Sequence, residues 1–201
     1  MKDILELLIE GIKQVSRDYY SCEDISHKTQ YAERVFCYEL YHQLRNLMPN
    51  FAIDWRIDGE ITKYLTYFKD YGLKLKDENK KKVIPDLVIH EGQHTTTNDH
   101  LVIEVKNSPN KIEMTGDIVK LLNYVDESKF NYSCGVYLQV NRSFDDLRND
   151  IVEKLGNLSS EHEKPSSKII CMSACYDDHG YIIRFESLSS ILGCNTKQVS
   201  E

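Results

Sequence analysis

Two short apolar runs, VIPDLVIH (83–90) and LVIEVKN (101–107), flank the polar loop EGQHTTTND, and no other feature constrains the fold so tightly. Apolar runs of that length bounded by turn residues read as strands, and their short separation makes them a hairpin. If the strands pair symmetrically about Thr95, Asp86 falls opposite Glu104, each nine residues from the centre. Side chains alternate between faces along a strand. One face then carries Leu87, Ile89, Leu101, Ile103 and Val105, and the other carries Asp86, Val88, His90, Val102, Glu104 and Lys106. Opposed Cβ atoms stand about 4.5–5.5 Å apart, so two carboxylates there repel unless something holds them. A divalent cation, Mg2+ or Mn2+, is the usual solution, because these hard ions take carboxylate oxygens. Lys106 points the same way as Glu104 and can pair with a carboxylate, orient a water or stabilise charge on a phosphate. Two carboxylates and a lysine around a metal form a kit for phosphodiester hydrolysis. The plain alternative is a solvated strand face with a cross-strand Glu–Lys pair, and such surface pairs often contribute nothing.

Helix and strand patterns alternate through the rest of the chain. Leu5, Leu8, Ile12, Val15 and Tyr19 recur at helical steps over 3–20, and Cys37, Leu40, Leu44 and Leu47 do so over 31–48, where Pro49 closes the helix. FAIDWRIDGEI (51–61) alternates as a half-buried strand does, whereas 62–82 stays ambiguous. After the hairpin come a helix at 111–127, an apolar strand at 134–140, a helix at 143–158, a loop, and a strand pair at 168–174 and 181–187. Residues 195–201 read as a frayed tail. This order predicts an α/β fold with a mixed β-sheet flanked by helices, in a single domain over 1–201.

Pro85-Asp86 followed by Glu104-Val105-Lys106, set in two apolar strands with a helix before and a helix after, resembles the PD-(D/E)XK nuclease superfamily. The resemblance covers residues 31–140 and leaves the N-terminal helix (1–22) and the region after 141 outside it. It implies a restriction-endonuclease-like fold, with Asp86 and Glu104 as Mg2+ (or Mn2+) ligands and Lys106 as the group that orients water or stabilises the transition state. Members of the family commonly place a glutamate in the helix before the first strand. Glu33 fits that role: it shares a stripe with Cys37, Leu40 and Leu44, where a lone carboxylate is costly unless ligated or hydrogen-bonded. Asp117-Ile118-Val119-Lys120-Leu121 resembles a stretch found after the catalytic strand in a bacterial subset of the family. Asp117 and Lys120, one helical turn apart, either contact Lys106 or phosphate, or form a plain surface pair. The resemblance implies a nucleic-acid substrate, DNA in the first instance, and makes a homodimer plausible. The rival expectation is a catalytically silent nuclease-like fold that binds a protein or a nucleic acid, for instance within a defence system.

Net charge is −7, which argues against coating nucleic acid by bulk electrostatics but leaves room for a metal-neutralised site. No apolar run approaches the ~20 residues of a membrane span. Asp3, Glu6 and Glu10 interrupt what would be the core of a signal peptide, so a cytoplasmic location is expected. The six cysteines are then expected to be reduced, and Cys171 and Cys175 lack a second pair at zinc spacing. His90 lies on the site face within reach of substrate, whereas His94 and His100 read as loop residues. Asp58 or Glu60 can join the metal site, although a solvated strand face is the simpler reading, as it is for Glu39. Lys80, Lys81 and Lys82 can grip a phosphate backbone or simply tip a loop. The stripe of Tyr64, Tyr67, Phe68 and Tyr71 reads as core or partner surface.

Overall fold

A computed structural model describes residues 2–20, 22–23, 29–30, 33–51, 55–60, 63–64, 82–91, 99–107, 111–127, 130–156, 163–177 and 180–193. Helix α1 (Lys2–Gln14) buries Ile4, Leu7, Leu8, Gly11 and Ile12 along one stripe. It ends earlier than the periodicity predicts. Ser16 takes an extended conformation, which a serine adopts at little cost, and a 3-10 turn at Arg17–Tyr19 follows. A two-residue ladder, β1 (Cys22–Glu23) with β2 (Thr29–Gln30), leads to α2 (Glu33–Leu47), which tightens into a 3-10 turn at Met48–Phe51. Gly11 is where α1 meets α2: a Cβ there would lie 2.6 Å from Leu44 Cδ2.

The strand expected over 51–61 is shorter, β3 (Arg56–Gly59), and residues 52–54 lie outside the described residues. A second short ladder joins β4 (Lys63–Tyr64) to β5 (Lys82–Val83). Tyr67, Phe68, Tyr71, Lys80, Lys81 and His94 all lie outside the described residues. There follow β6 (Leu87–His90), β7 (Asp99–Lys106), α3 (Lys111–Val125), β8 (Cys134–Val140) and α4 (Phe144–Leu155). The last elements are the single turn α5 (Glu163–Ser166), β9 (Ile169–Asp177), β10 (Gly180–Ser187) and the turn α6 (Leu188–Ile191). The α5 turn falls in a stretch that reads as loop from sequence.

Six strands form one mixed sheet in the order β10-β9-β8-β7-β6-β3. The central strands β7, β8 and β9 run parallel, and β10, β6 and β3 are antiparallel to their neighbours. Both faces are covered, so the central strands are apolar almost throughout; all seven residues of β8 are buried. On one face α1 and α2 pack against Ile57, Leu87, Ile89, Leu101, Ile103, Val105, Val136 and Leu138. On the other, α3, α4 and α6 pack against Val88, Val102, Tyr137, Ile169 and Cys171. The chain is therefore a mixed α/β fold with helices on both sides of the sheet. Among the described residues no helix is long and apolar enough to cross a membrane.

Candidate active site

From Leu87 to Ile89 the hairpin pairs as its symmetry predicts, facing Ile103, Val102 and Leu101; the register then shifts so that His90 faces Asp99, and Asp86 lies before the ladder begins. Both of its faces are covered, however, and the apolar run at 83–90 is not one strand. The run breaks at Ile84–Asp86, between β5 and β6. Pro85 has no N–H to continue a ladder, so the chain bends there. Asp86 stands in that bend and takes over the missing pairing with its side chain. Its Oδ2 accepts the Val105 N–H at 2.7 Å, and its carbonyl accepts the Glu60 N–H at 3.1 Å. The carboxyl is thus fixed where β3 and β6 begin to leave β7 uncovered.

Glu104 and Lys106, two residues apart on β7, both meet side chains of α3, and Lys106 also meets Glu33 of α2. Glu104 is 2% exposed; its Oε2 accepts from Lys120 Nζ at 3.2 Å, while its Oε1 is buried with no hydrogen-bond partner. Lys106 Nζ lies 3.2 Å from both carboxylate oxygens of Glu33, 3.5 Å from Asp117 Oδ2 and 3.7 Å from Glu113 Oε2. Lys120 Nζ also sits 2.5 Å from Asp117 Oδ1. Asp86, Glu104, Lys106, Glu33, Asp117 and Lys120 therefore meet at one place, joined by Glu113.

Five carboxylates around two ammonium groups leave the cluster short of positive charge. Burial first, and then the nearby Asp86, push the Glu104 carboxyl up to about 8 against the pull of Lys120. Burial likewise lifts Asp86 to about 6, partly offset by its bond from the Val105 N–H. Burial works against the charge on Lys106, but Asp117, Glu33 and Asp86 outweigh it and hold the ammonium above the usual lysine range. Lys120 is raised in the same way, by Glu104 and Asp117 against burial. No protein-family model matches the chain, and no curated protein or solved structure does.

Among the described residues no three His, Cys, Asp or Glu side chains enclose a metal by themselves. The donor chemistry nonetheless suits one. Glu104 Oε1 and Asp117 Oδ2 are buried oxygens lacking hydrogen bonds, and the Asp86 charge adds to burial in raising the Glu104 carboxyl. Mg2+ is commonly held by one or two carboxylates, with water and substrate phosphate completing its shell.

A cleft of about 550 Å3 opens beside Asp86 and Glu33, between α2 and the β3–β6 edge. Cys37 lies on its wall, and burial together with Asp86 and Glu33 pushes its thiol far up, so it is no nucleophile. Behind the cluster, Tyr137 OH donates to Gln139 Oε1 at 3.0 Å, and Gln139 Nε2 donates to the Lys106 carbonyl at 3.1 Å. Asn107 and Asn141 both donate to the Tyr20 carbonyl, tying the ends of β7 and β8 to the turn after α1.

His90 is not part of this cluster. It lies at the far end of β6, 3% exposed, with Nε2 2.7 Å from Asp58 Oδ2. The two-residue alternation puts His90 on the Asp86 face but four positions along the strand, too far to share a ligand. Asp58 is thereby committed to His90, and Glu60 pairs with Arg34 at 3.1 Å. Glu39 accepts from Gln43 on its own helix. His100 stacks on Trp55 with ring centroids 3.7 Å apart. Cys171 is fully buried in the second core and Cys175 Sγ donates to the Arg142 carbonyl, as befits strand thiols rather than zinc ligands. Glu113 and the Tyr137–Gln139 pair are absent from the sequence reading. The signals were present: Glu113 is four residues before Asp117 on one helix face, and Gln139 is the lone amide in an apolar strand.

Proposed function

We propose that this chain is a metal-dependent nuclease of the PD-(D/E)XK type, hydrolysing DNA phosphodiester bonds on a restriction-endonuclease-like fold. The observation that carries the reading is Glu104. A carboxylate 2% exposed, set beside Asp86 and with one oxygen unpartnered, is costly to keep. The cost has a chemical reason if the pair holds a divalent cation. When bound there, Mg2+ or Mn2+ would neutralise charge on the phosphate and make a water more acidic. Asp86 and Glu104 would hold it. Lys106 would place its ammonium against the phosphate or the attacking water, and Glu33 and Asp117 would fix where that ammonium sits. Lys120, already on Glu104 and Asp117, would hold the second carboxylate in orientation.

The second reading is a nuclease-like fold that binds without cleaving. Two observations favour it: Lys106 and Lys120 are both engaged by carboxylates, and the chain's net charge of −7 does little to draw a polyanion. Labelled single- and double-stranded DNA, incubated with Mg2+, Mn2+ or a chelator, separates the two. Cleavage should require metal and disappear in Asp86→Asn and in Glu104→Gln. Calorimetric binding of Mn2+ should weaken in the same variants. Cleavage that persists in both variants would overturn the proposal.

A further inference from the structure

The cleft beside Asp86 is poorly made for gripping a duplex. A surface that tracks a phosphate backbone needs several cations, and among the described residues Arg34 is the one cation on this cleft's lining, itself 3.1 Å from Glu60. The described lining sets Tyr38, Tyr41, Ile84 and Leu87 beside the carboxylates of Glu33, Glu60 and Asp86. Tyr38 is 63% exposed although its neighbours Phe36, Cys37 and Leu40 on α2 are buried. Ile84, 37% exposed, lines the same space, and so does Tyr41. A lone exposed aromatic would need no explanation; this one stands on the wall of a cleft that ends at Glu33 and Asp86.

We infer that this cleft receives an unpaired nucleobase of the strand whose phosphate lies at Asp86 and Glu104, with the Tyr38 ring as its stacking surface. The inference rests on the nuclease reading of those two carboxylates. The chemistry matches on three counts. Every base has a π-face that stacks on tyrosine. The Glu60 carboxylate accepts hydrogen bonds from the amino groups of bases, and the Arg34 guanidinium donates to their carbonyls and ring nitrogens. A volume of about 550 Å3 falls within the range of small-molecule sites. A base inside a duplex is stacked and paired and cannot enter without being pulled out, at a cost of a few kcal/mol. The enzyme should therefore favour single strands, flaps and frayed ends over intact duplex.

Fluorescence anisotropy with a short labelled single strand and the matching blunt duplex, both in Ca2+, tests this, with cleavage in Mg2+ run in parallel. The wild type should bind the single strand more tightly. Tyr38→Ala should weaken single-strand binding by about 5- to 100-fold, the usual value of one base–aromatic stack. It should leave duplex binding and the thermal melt unchanged, and Tyr38→Phe should restore most of the affinity. A wild type that cleaves with Mg2+ while Tyr38→Ala binds single strands equally well would overturn the base site and leave the nuclease reading standing. A wild type that neither binds nor cleaves DNA would overturn both.

Discussion

Glu104 sets the pH behaviour of the molecule. Its carboxyl, raised to about 8 in the folded chain, keeps its proton where the unfolded chain, near 4.5, has already lost it. A raised acid contributes stability that is full below the unfolded value and lost as pH rises to the folded one. Asp86, lifted to about 6, acts in the same direction over a narrower window. The metal-free protein should therefore lose stability, on the order of a few kcal/mol, as pH climbs from about 4.5 to 8. If the proposed site takes Mg2+, the ion would bind the ionised form, and the rise in melting temperature it produces should grow over the same window. Glu104→Gln should flatten both trends in thermal melts taken across pH; an unchanged slope would mean that the buried proton sits elsewhere. Lys106, held above the usual lysine range, loses its contribution only in strong alkali and does not enter this window.

Helix and strand ends decide how the site is held, and they test separately from its chemistry. Ser143 Oγ accepts the Asp146 N–H at 3.1 Å and caps α4. Ser143→Ala should cost about 1 kcal/mol in chemical denaturation and leave cleavage untouched. Gln139→Leu should do the reverse in part: the Lys106 carbonyl loses the Gln139 amide as a donor, at about 1–3 kcal/mol, and cleavage falls with it. Much of this scale was legible in the sequence. The hairpin register follows from symmetry about Thr95, and the meeting of Asp117 and Lys120 follows from one turn of helix. Three features were not legible. Pro85 breaks the apolar run, because a missing N–H outweighs strand propensity. Ser16 ends α1 despite the apolar residues beyond it. Glu113 shares a helix face with Asp117, but that it reaches Lys106 depends on α3 lying across β7, which is a tertiary fact.

The chain as a whole carries a net charge of −7, which limits how it can hold a polyanion at the proposed site. Among the described residues, the cations at the cluster and cleft are Lys106, Lys120 and Arg34. Few phosphate contacts mean few released counterions, so the logarithmic salt slope of single-strand binding should be no steeper than about −2. A steeper slope, read by anisotropy across salt, would point to a basic surface outside this cluster. The two-sided sheet was readable from strands that are apolar almost throughout, as buried strands must be. His90 stands apart from Asp86 because alternation gives the face of a strand but not the distance along it. The region after 141, for which the sequence offered only a strand pair and a helix, extends the sheet by β9 and β10 and completes the second core.

The measurement that bears most directly on the account is DNA cleavage by the wild type beside Lys106→Met, in Mg2+, with the fold of both checked by thermal melt. The substitution keeps much of the side chain's length and removes the charge that faces Glu33, Asp117 and Asp86. Metal-dependent cleavage by the wild type and none by a folded Lys106→Met is the predicted result. Equal cleavage by the two proteins would contradict it, because the ammonium at the centre of the cluster would then have no part in the reaction.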